Sequence, residues 1–371
     1  MRAIIREIID INLSTNYEYI IGEHLLQNLR YHMGIRHDQK IMIISDEVVW
    51  NIYGDMIDSS FKDVNNKVCR TILKPGEDQK NLENLTMILE NLANERFIHS
   101  DVILAIGGGV IGDISGLAAG LYMRGISHVY VPTTTLAAID SSVGGKTAVN
   151  LTHGKNMVGL FKQPSRVLCD VSAFETLSDR IFNEGIAEAI KIGFIYDIKI
   201  LPLLSESLRE DKSRLIEVIK RAVRAKYRVV QQDEYDKSIR HILNYGHTLA
   251  HAIEQKSNYE LRHGEAVSIG LMFMTELSER LGYVKKSENF RYILENFGDI
   301  SATQLLKNLL DIHNLPTTTI YKYDDLESFF MVDKKQNLDS IDLVLLEEIG
   351  KATIKNVLLK DLRGFLQIDE N

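Results

Sequence analysis

The first 170 residues alternate short, continuous apolar runs with amphipathic stretches, and this alternation restricts the possible folds more than any other feature. Unbroken runs of Val, Ile and Leu are typical of parallel strands that are buried on both faces. Between these runs, residues 81–97 carry apolar side chains at the spacing of one helix face. Strands that alternate with helices predict an α/β layer fold. The predicted strands are residues 40–46, 101–106, 128–132 and 166–170.

The second half of the chain has a different pattern, in which helical periodicity dominates. A chain of 371 residues exceeds what one hydrophobic core usually organises, so two domains are expected. We predict an α/β domain over residues 1–175 and a mostly α-helical domain over residues 176–371. The helices predicted for the second domain lie near residues 178–196, 213–232, 240–256, 263–281 and 302–312, with a weak strand pair near 342–346 and 354–359.

Charge and cysteine content exclude several classes of partner. The 43 basic and 51 acidic residues give a formal net charge of −8, and nucleic-acid binding is disfavoured because it requires a dense basic face. Cys69 and Cys169 have no neighbouring cysteine, which indicates reduced thiols. No uncharged apolar run reaches the roughly 18 residues of a membrane span, and the N-terminal stretch is too charged for a signal peptide. We therefore expect a cytoplasmic protein that binds neither nucleic acid nor membranes.

A glycine-rich sequence, GGGVIGD at residues 107–113, follows a predicted strand. Its first, third and last glycines satisfy the G-x-G-x-x-G pattern, in which the backbone approaches a dinucleotide pyrophosphate at a helix N-terminus. The alternative is a purely structural turn between a strand and a helix. Residues 128–134 lack the acidic ribose partner that a Rossmann unit places about 20 residues further on. Asp46, at the end of an earlier strand, is the candidate for that role.

A second loop, DSSVGGKT at residues 140–147, is similar to a phosphate-binding P-loop but lacks the first glycine of that motif. Asp140 occupies the position of this glycine, so an ATP-dependent phosphotransferase is disfavoured. The loop still combines a carboxylate, hydroxyls and Lys146, and it is followed by Lys155 and Asn156. Such side chains suit a polyhydroxylated or phosphorylated ligand. The alternative is a pair of solvated surface turns.

The second domain carries a polar stripe. Arg240, Asn244, His247 and His251 fall at i, i+4, i+7 and i+11, which places them on one face of a continuous helix. Such a face is costly to bury without partners, so we expect it to line a polar cavity.

Candidate metal ligands occur in this stripe and on two other predicted helices. His263 follows His247 by sixteen residues, and Glu188 shares a helix face with Lys191. A carboxylate and two imidazoles are a common zinc set that leaves the fourth position open. The sequence HTLAH lacks the glutamate of the H-E-x-x-H motif, so a zinc protease is disfavoured. A histidine pair four residues apart also occurs on ordinary surfaces and in cores.

Taken together, these segments resemble the 3-dehydroquinate synthases of the sugar phosphate cyclase family, and the resemblance extends from Asp46 to Lys351. The motifs that carry it are GEDQK at 76–80, GGGVIGD at 107–113, YMRG at 122–125, VPTTT at 131–135, DSSVGGKTAVN at 140–150, GKNMVG at 154–159, AEAIK at 187–191, NYGHTLAHAIE at 244–254, HGEAV at 263–267 and DKK at 333–335. The resemblance implies a Rossmann-like NAD-binding α/β domain, a helical metal- and substrate-binding domain with a cleft between them, and a homodimer.

Functional residues follow from the resemblance by motif position. The residues expected to contact NAD are Asp46, Glu77, Lys80, Gly108, Gly109, Val110, Asp113, Thr133, Thr134, Lys146, Lys155, Phe174, Thr176 and Leu177. Zinc, or cobalt in its place, is expected on Glu188, His247 and His263. The residues expected at the substrate are Asp140, Lys146, Lys155, Asn156, Lys191, Lys226, Arg240, Asn244, His251 and Lys335, with Arg124 near the neighbouring subunit's site.

The implied reaction converts 3-deoxy-D-arabino-heptulosonate 7-phosphate, an anionic sugar phosphate, into 3-dehydroquinate and phosphate. NAD-mediated transient oxidation, phosphate elimination, reduction and aldol closure are its steps. The chain departs from the family at Ile181, where a glutamate is usual, and Glu184 is the candidate to compensate. The alternatives are a cyclase that acts on a neutral sugar phosphate, a metal-dependent alcohol dehydrogenase, and a non-catalytic NAD-binding module.

Overall fold

A computed structural model describes residues 4–62, 65–285, 288–322, 324–326 and 340–366. The chain forms two compact units, one of Met1–Phe182 with Leu215–Tyr235 and one of Asn183–Arg214 with Asp236–Asn371. These units differ from the predicted domains mainly in Leu215–Tyr235, which joins the first unit.

The described part of the first unit is built on a seven-stranded sheet with the strand order β1-β2-β9-β6-β5-β3-β4. Only β1 runs antiparallel to its neighbour among these strands. The sheet strands are β1 (Ile4–Asn12), β2 (Asn16–Glu23), β3 (Ile41–Asp46), β4 (Val68–Leu73), β5 (Val102–Gly107), β6 (Ser127–Pro132) and β9 (Arg166–Asp170). A separate antiparallel hairpin consists of β7 (Lys146–Leu151) and β8 (Gly154–Phe161). The α-helices are α1 (Leu29–His32), α2 (Glu47–Ser59), α3 (Leu82–Asn94), α4 (Gly109–Leu121) and most of α6 (Lys212–Gln232).

Both faces of the sheet are buried. In β3, Ile41 and Ile43 belong to a core cluster that includes residues of α1 and α2. The alternate residues Met42 and Ile44 belong to a second cluster, which includes residues of α3 and α4. A strand that is covered on both sides has no solvent-facing positions, which explains the unbroken apolar run. The α/β fold class predicted from the sequence is therefore confirmed.

The strand order creates a topological switch point between β3 and β5. The chain passes from β3 outward to β4 and then crosses back over β3 to reach β5, from which it continues to β6. In open α/β sheets, ligands bind outside the carboxyl ends of the strands at such a point. The loops that follow β3 and β5 are therefore placed to form a binding site.

The second unit is mostly helical. Its elements are α5 (Asp179–Ile195, with its first residues in the first unit), α7 (His247–Lys256), α8 (His263–Arg280), α9 (Glu288–Phe297), α10 (Ala302–Ile312), α11 (Leu359–Leu366), β10 (Ser340–Glu348) and β11 (Lys351–Leu358). Helix α8 is largely buried and packs against α7, α10 and β10. Within the described residues, no helix is both long enough and apolar enough to cross a membrane.

The predicted continuous helix over residues 240–256 is wrong. A 3-10 helix spans Ile239–Asn244, and α7 begins only at His247. Between them, Gly246 adopts a φ of 80°, a left-handed conformation that glycine enters without steric cost. A side chain at Gly246 would also approach the backbone nitrogen of Leu271 to 2.8 Å, so the break coincides with a close backbone contact to α8.

The close contact between Gly246 and α8 predicts that an added methyl group at Gly270 lowers stability. A Cβ at Gly270 would collide with the carbonyl oxygen of Gly246, so the Gly270→Ala variant should lose about 1–3 kcal/mol of unfolding free energy through overpacking. The midpoint of urea-induced unfolding measures the loss. Gly364→Ala in α11 is the matched control because, beyond its own helix, no described heavy atom lies within 4 Å of the added Cβ, and its midpoint should not fall. Equal midpoints for Gly270→Ala and wild type would contradict the close contact.

Candidate functional site

Residues predicted to bind NAD gather at the carboxyl ends of adjacent parallel strands. Asp46 ends β3 and caps α2, where its Oδ1 accepts a hydrogen bond from the Val49 N–H at 3.0 Å. Burial raises the pKa of Asp46. Glu77 begins a short 3-10 helix after β4. Asp46 lies beside the switch point between β3 and β5, and Glu77 follows β4, the edge strand next to β3.

The glycine-rich loop serves two purposes. Gly108 caps α4, and residues 108–110 are partly exposed at the first turn, where backbone N–H groups lack partners within the helix. Gly112 instead permits packing, because a Cβ there would approach the Tyr130 hydroxyl to 2.6 Å. Gly108 therefore suits the dinucleotide-binding interpretation, whereas Gly112 has a role in packing.

Other predicted cofactor residues follow β6 and β9 at the same edge of the sheet. The Thr133 N–H donates to the Gly107 carbonyl at 3.0 Å, which joins the β6 loop to the glycine loop. Thr134 Oγ1 accepts from the Ala137 N–H at 3.2 Å. After β9, the Thr176 hydroxyl lies 2.8 Å from that of Tyr53, whereas the side chain of Phe174 is buried in the core. The Leu177 N–H donates to the carbonyl of Phe174.

Lys80 connects the cofactor loops to the β7–β8 hairpin. Its side chain is 5% exposed, and its Nζ donates to the carboxylate of Asp113 and, at 2.5 Å, to Oδ1 of Asn156. Burial raises the pKa of Asp113, although Lys80 opposes this shift. The hairpin also carries the predicted substrate residues Lys146 and Lys155. The structure thus brings residues from three motifs into one network.

Asp140 lies in a one-turn π-helix, Ala137–Ser141, a form that is frequent at functional sites. Lys226 of α6 is 6% exposed, and its Nζ donates to the Asp140 Oδ1 at 2.6 Å and carbonyl at 2.8 Å. Residues 142–145 of the same loop are buried. The interpretation of residues 140–147 as a solvated surface turn is therefore wrong.

The candidate metal ligands converge within the second unit. Glu188 lies on α5 and is fully buried, His247 is the first residue of α7, and His263 is the first residue of α8. Glu188 Oε1 lies 3.5 Å from the His247 Nε2 and 3.4 Å from the His263 Nε2. One ligand atom from each residue lies within 4.8 Å of the others. Ligands of a tetrahedral zinc ion, each about 2.0–2.2 Å from the metal, lie about 3.4 Å apart, so the set fits such an ion.

Neighbouring acceptors orient both imidazoles. His247 Nδ1 lies 3.2 Å from the carbonyl oxygen of Tyr245, and His263 Nδ1 lies 3.3 Å from the Oε2 of Glu254. Carbonyl and carboxylate oxygens accept hydrogen bonds, so each Nδ1 carries a proton and each Nε2 faces the Glu188 carboxylate. Glu254 was not among the residues predicted at the site, although it ends the motif NYGHTLAHAIE at 244–254. Its position seven residues after His247, on the same side of α7, was the available signal.

The electrostatics of Glu188 also suit a cation. Among the described residues, neither of its carboxylate oxygens has a hydrogen-bond partner, although the Lys191 Nζ lies 2.5 Å from Oε2. Burial would raise the pKa of Glu188, but Lys191 and both imidazoles hold it well below its usual range. A buried anion with unfilled acceptor positions fits a divalent metal ion.

The two histidines differ in protonation. Burial, and then the Lys191 ammonium, lower the pKa of His247 to about 3. Burial acts in the same direction on His263, but the carboxylates of Glu188 and Glu254 outweigh it and raise its pKa to about 10. A metal ligand must be unprotonated, so His247 is ready to bind and His263 releases a proton when it binds.

Of the other predicted residues, His251 borders this cluster, whereas Arg124 belongs to the first unit. The ring of His251 lies 5.4 Å from that of His247 and is exposed, while Arg240 is buried in the 3-10 helix that ends with the exposed Asn244. Arg124 follows α4 with a φ of 64°. Lys335 lies outside the described residues.

Glu184, the candidate to compensate for Ile181, forms an ion pair with the segment before α8. The Glu184 carboxylate pairs with Arg262, the residue before His263. Burial raises the pKa of Glu184, and Arg262 opposes this shift. Glu184 therefore stabilises the start of α8.

Comparison with known proteins gives a consistent assignment. The family model described as 3-dehydroquinate synthase N-terminal matches residues 70–184, and the model described as 3-dehydroquinate synthase C-terminal matches residues 185–336. The chain is 39% identical to the 3-dehydroquinate synthase of Clostridium acetobutylicum over 336 residues, which cover 89% of this chain and 90% of the relative.

Solved structures share the fold. A 2-deoxy-scyllo-inosose synthase complexed with carbaglucose-6-phosphate, NAD+ and Co2+ has a TM-score of 0.81 and 25% identity, with 97% of this chain and 99% of that chain covered. The 2-epi-5-epi-valiolone synthase of Streptomyces hygroscopicus, with NAD+ and Zn2+ bound, has a TM-score of 0.83 and 24% identity, with 96% of this chain and 98% of that chain covered. The predicted fold, an α/β unit followed by a mostly helical one, is that of these cyclases.

The contact between Glu254 and His263 predicts a loss of metal affinity without loss of a ligand. Replacement of Glu254 by Gln removes the charge that orients His263, so the affinity for zinc should fall about 10-fold or more. Competition with a chromophoric zinc indicator measures the affinity. Gln255→Ala, at the adjacent exposed position of α7, is the control and should bind zinc like wild type. Wild-type affinity in Glu254→Gln would show that Glu254 does not orient the ligand.

Proposed function

The chain belongs to the 3-dehydroquinate synthase family, enzymes of the shikimate pathway, and we propose that it carries out this reaction with NAD and a divalent metal ion bound by its own residues. One observation carries the metal proposal. Glu188 and the Nε2 atoms of His247 and His263 converge, and each imidazole is held by an acceptor on its other nitrogen. Zinc or cobalt suits this set of one carboxylate and two imidazoles.

The substrate, 3-deoxy-D-arabino-heptulosonate 7-phosphate, carries a carboxylate and a phosphate. When bound, NAD supplies a hydride acceptor and donor, and the metal ion lowers the pKa of the alcohol to be oxidised. The protein itself has to hold two anionic ends in fixed positions, because elimination and aldol closure require defined geometry.

We assign the phosphate to Lys191, Asn244, His251 and Lys335. Lys191 is 1% exposed and adjacent to Glu188, so its ammonium provides a positive charge in a site with little water. A preorganised charge of this kind stabilises an anion more strongly than a solvated one does.

We assign the substrate carboxylate to Arg240, because a guanidinium binds a carboxylate through two parallel hydrogen bonds. Arg240 is 3% exposed and fixed in a 3-10 helix, which restricts its orientation. Asp140, held by Lys226, and the hairpin residues Lys146, Lys155 and Asn156 are assigned to the substrate's polar groups.

We assign NAD to the switch point of the sheet. Asp46, Glu77 and the partly exposed first turn of α4 stand at the carboxyl ends of neighbouring strands, where dinucleotides bind in related folds. The solved 2-deoxy-scyllo-inosose synthase, at 25% identity, contains NAD+ and Co2+, which supports both cofactors.

The alternative cyclases that act on neutral sugar phosphates are less well supported. Identity is 39% to a 3-dehydroquinate synthase and 25% to the inosose synthase. A neutral sugar phosphate also has no carboxylate for the bidentate hydrogen bonding that a guanidinium such as that of Arg240 offers. The expected homodimer, with Arg124 near the partner's site, and the cytoplasmic location stay predictions. Sedimentation equilibrium tests the dimer.

Removal of one metal ligand should separate metal binding from cofactor binding. We expect His247→Ala to lose stoichiometric zinc and turnover while its affinity for NAD stays close to that of wild type. Elemental analysis gives the metal content, and titration calorimetry gives the NAD affinity. His241→Ala, from the same unit but paired with Asp342, is the control and should retain zinc. Full activity of the enzyme after metal removal would refute the metal assignment.

The reaction itself has a diagnostic stoichiometry. With the heptulosonate phosphate and a catalytic amount of NAD, the enzyme should release one phosphate per substrate without accumulating NADH, because the hydride returns within each turnover. A phosphate assay and absorbance at the NADH band measure the two products. NADH accumulation would indicate an alcohol dehydrogenase, and faster turnover of glucose 6-phosphate would indicate an alternative cyclase.

A further inference from the structure

We infer that Asn150 is a positioning residue that ties the β7–β8 hairpin to Glu77 and so couples the proposed cofactor loop to the proposed substrate residue Asn156. The inference rests on the proposed function, which assigns Glu77 to NAD and Asn156 to the substrate. Asn150 is partly buried near the end of β7 and ends the motif DSSVGGKTAVN.

Asn150 uses its backbone and both ends of its amide. Its Nδ2 donates to the Glu77 Oε1 at 2.8 Å, and its Oδ1 accepts from the backbone N–H of Asn156 at 2.8 Å. Its own N–H donates to the carbonyl of Lys80 at 2.7 Å. Three hydrogen bonds therefore join β7, β8 and the segment after β4.

The bond to Asn156 supports an unusual backbone conformation. Asn156 has a φ of 58°, a left-handed conformation that is uncommon for residues other than glycine. With its N–H held by Asn150 and its Oδ1 held by Lys80, both the backbone and the side chain of Asn156 are fixed. Displacement of Asn150 would release one of these restraints.

The side chain at position 150 has to donate one hydrogen bond and accept another. An aspartate at this position has nearly the same shape and could still accept from the Asn156 N–H, but it would face Glu77 with a second negative charge. The Asn150→Asp variant therefore tests the link to Glu77 while it preserves the hairpin turn. In the Glu77→Gln background the link can form again in reverse, because a glutamine amide can donate to the new carboxylate.

The experiment is a double-variant cycle read by NAD affinity. Wild type, Asn150→Asp, Glu77→Gln and the double variant are titrated with NAD in a calorimeter, and their thermal midpoints are recorded. In the wild-type background, Asn150→Asp should weaken NAD binding about 10-fold, because the second carboxylate repels Glu77 from the position assigned to the cofactor. In the Glu77→Gln background, the same substitution should have little effect. Thermal midpoints should stay close to that of wild type.

Turnover provides a second readout. At saturating NAD, Asn150→Asp should recover most of its kcat, because the defect lies in cofactor affinity. Thr152→Ala is the control on the same hairpin, since its side chain contacts only His153 among the described hydrogen bonds, and it should match wild type.

Wild-type NAD affinity in Asn150→Asp, or an equal loss in the wild-type and Glu77→Gln backgrounds, would overturn the inference. A loss that only parallels a lower thermal midpoint would also overturn it, since the role would then be structural. The NAD affinity of the wild type is measured first. A wild-type chain that fails to bind NAD would refute the proposed cofactor itself.

Discussion

The buried carboxylate of Glu188 is the constraint on which the second unit depends. Removal of an ionised group from water costs several kcal/mol unless opposite charges and hydrogen bonds compensate. Lys191 and the imidazoles of His247 and His263 surround this group, and its two oxygens accept no hydrogen bond from the described residues. The starts of α7 and α8 must therefore lie close to α5.

Small residues make this convergence possible. A Cβ at Gly264 would collide with the backbone of Glu184 on α5, and a Cβ at Gly270 would collide with that of Gly246 before α7. Glycine thus brings α8 against both neighbouring segments and places His263 within 3.4 Å of the buried carboxylate. The same close backbone contacts therefore set the geometry of the candidate metal site. They also account for the break in the helix predicted over residues 240–256, because Gly246 has to contact α8.

In the first unit, hydrogen bonds hold separate loops in fixed relative positions. Parallel strands bring their carboxyl ends to one edge, but the loops that follow them still have to be fixed relative to one another. The buried Lys80 side chain and the amide of Asn150 do this by joining loops from different motifs. The left-handed backbone of Asn156 is held within this network.

Much of the fold and of the candidate site could be predicted from the sequence, because apolar runs and helical periodicity record burial directly. The strands through Ile41–Asp46 and Val102–Gly107, the buried helix with Glu188, and the histidines as candidate ligands all followed from local patterns. Edge strand β1 could not be predicted, because Arg6, Glu7 and Asp10 interrupt its apolar pattern.

Tertiary structure decided the features that depend on residues distant in sequence. The break at Gly246 depends on the backbone of α8, the orientation of His263 depends on Glu254, and the role of Asn150 depends on Glu77. Spacing along one chain specifies which residues share a face, whereas hydrogen-bond partners from other segments are specified only when the chain has folded.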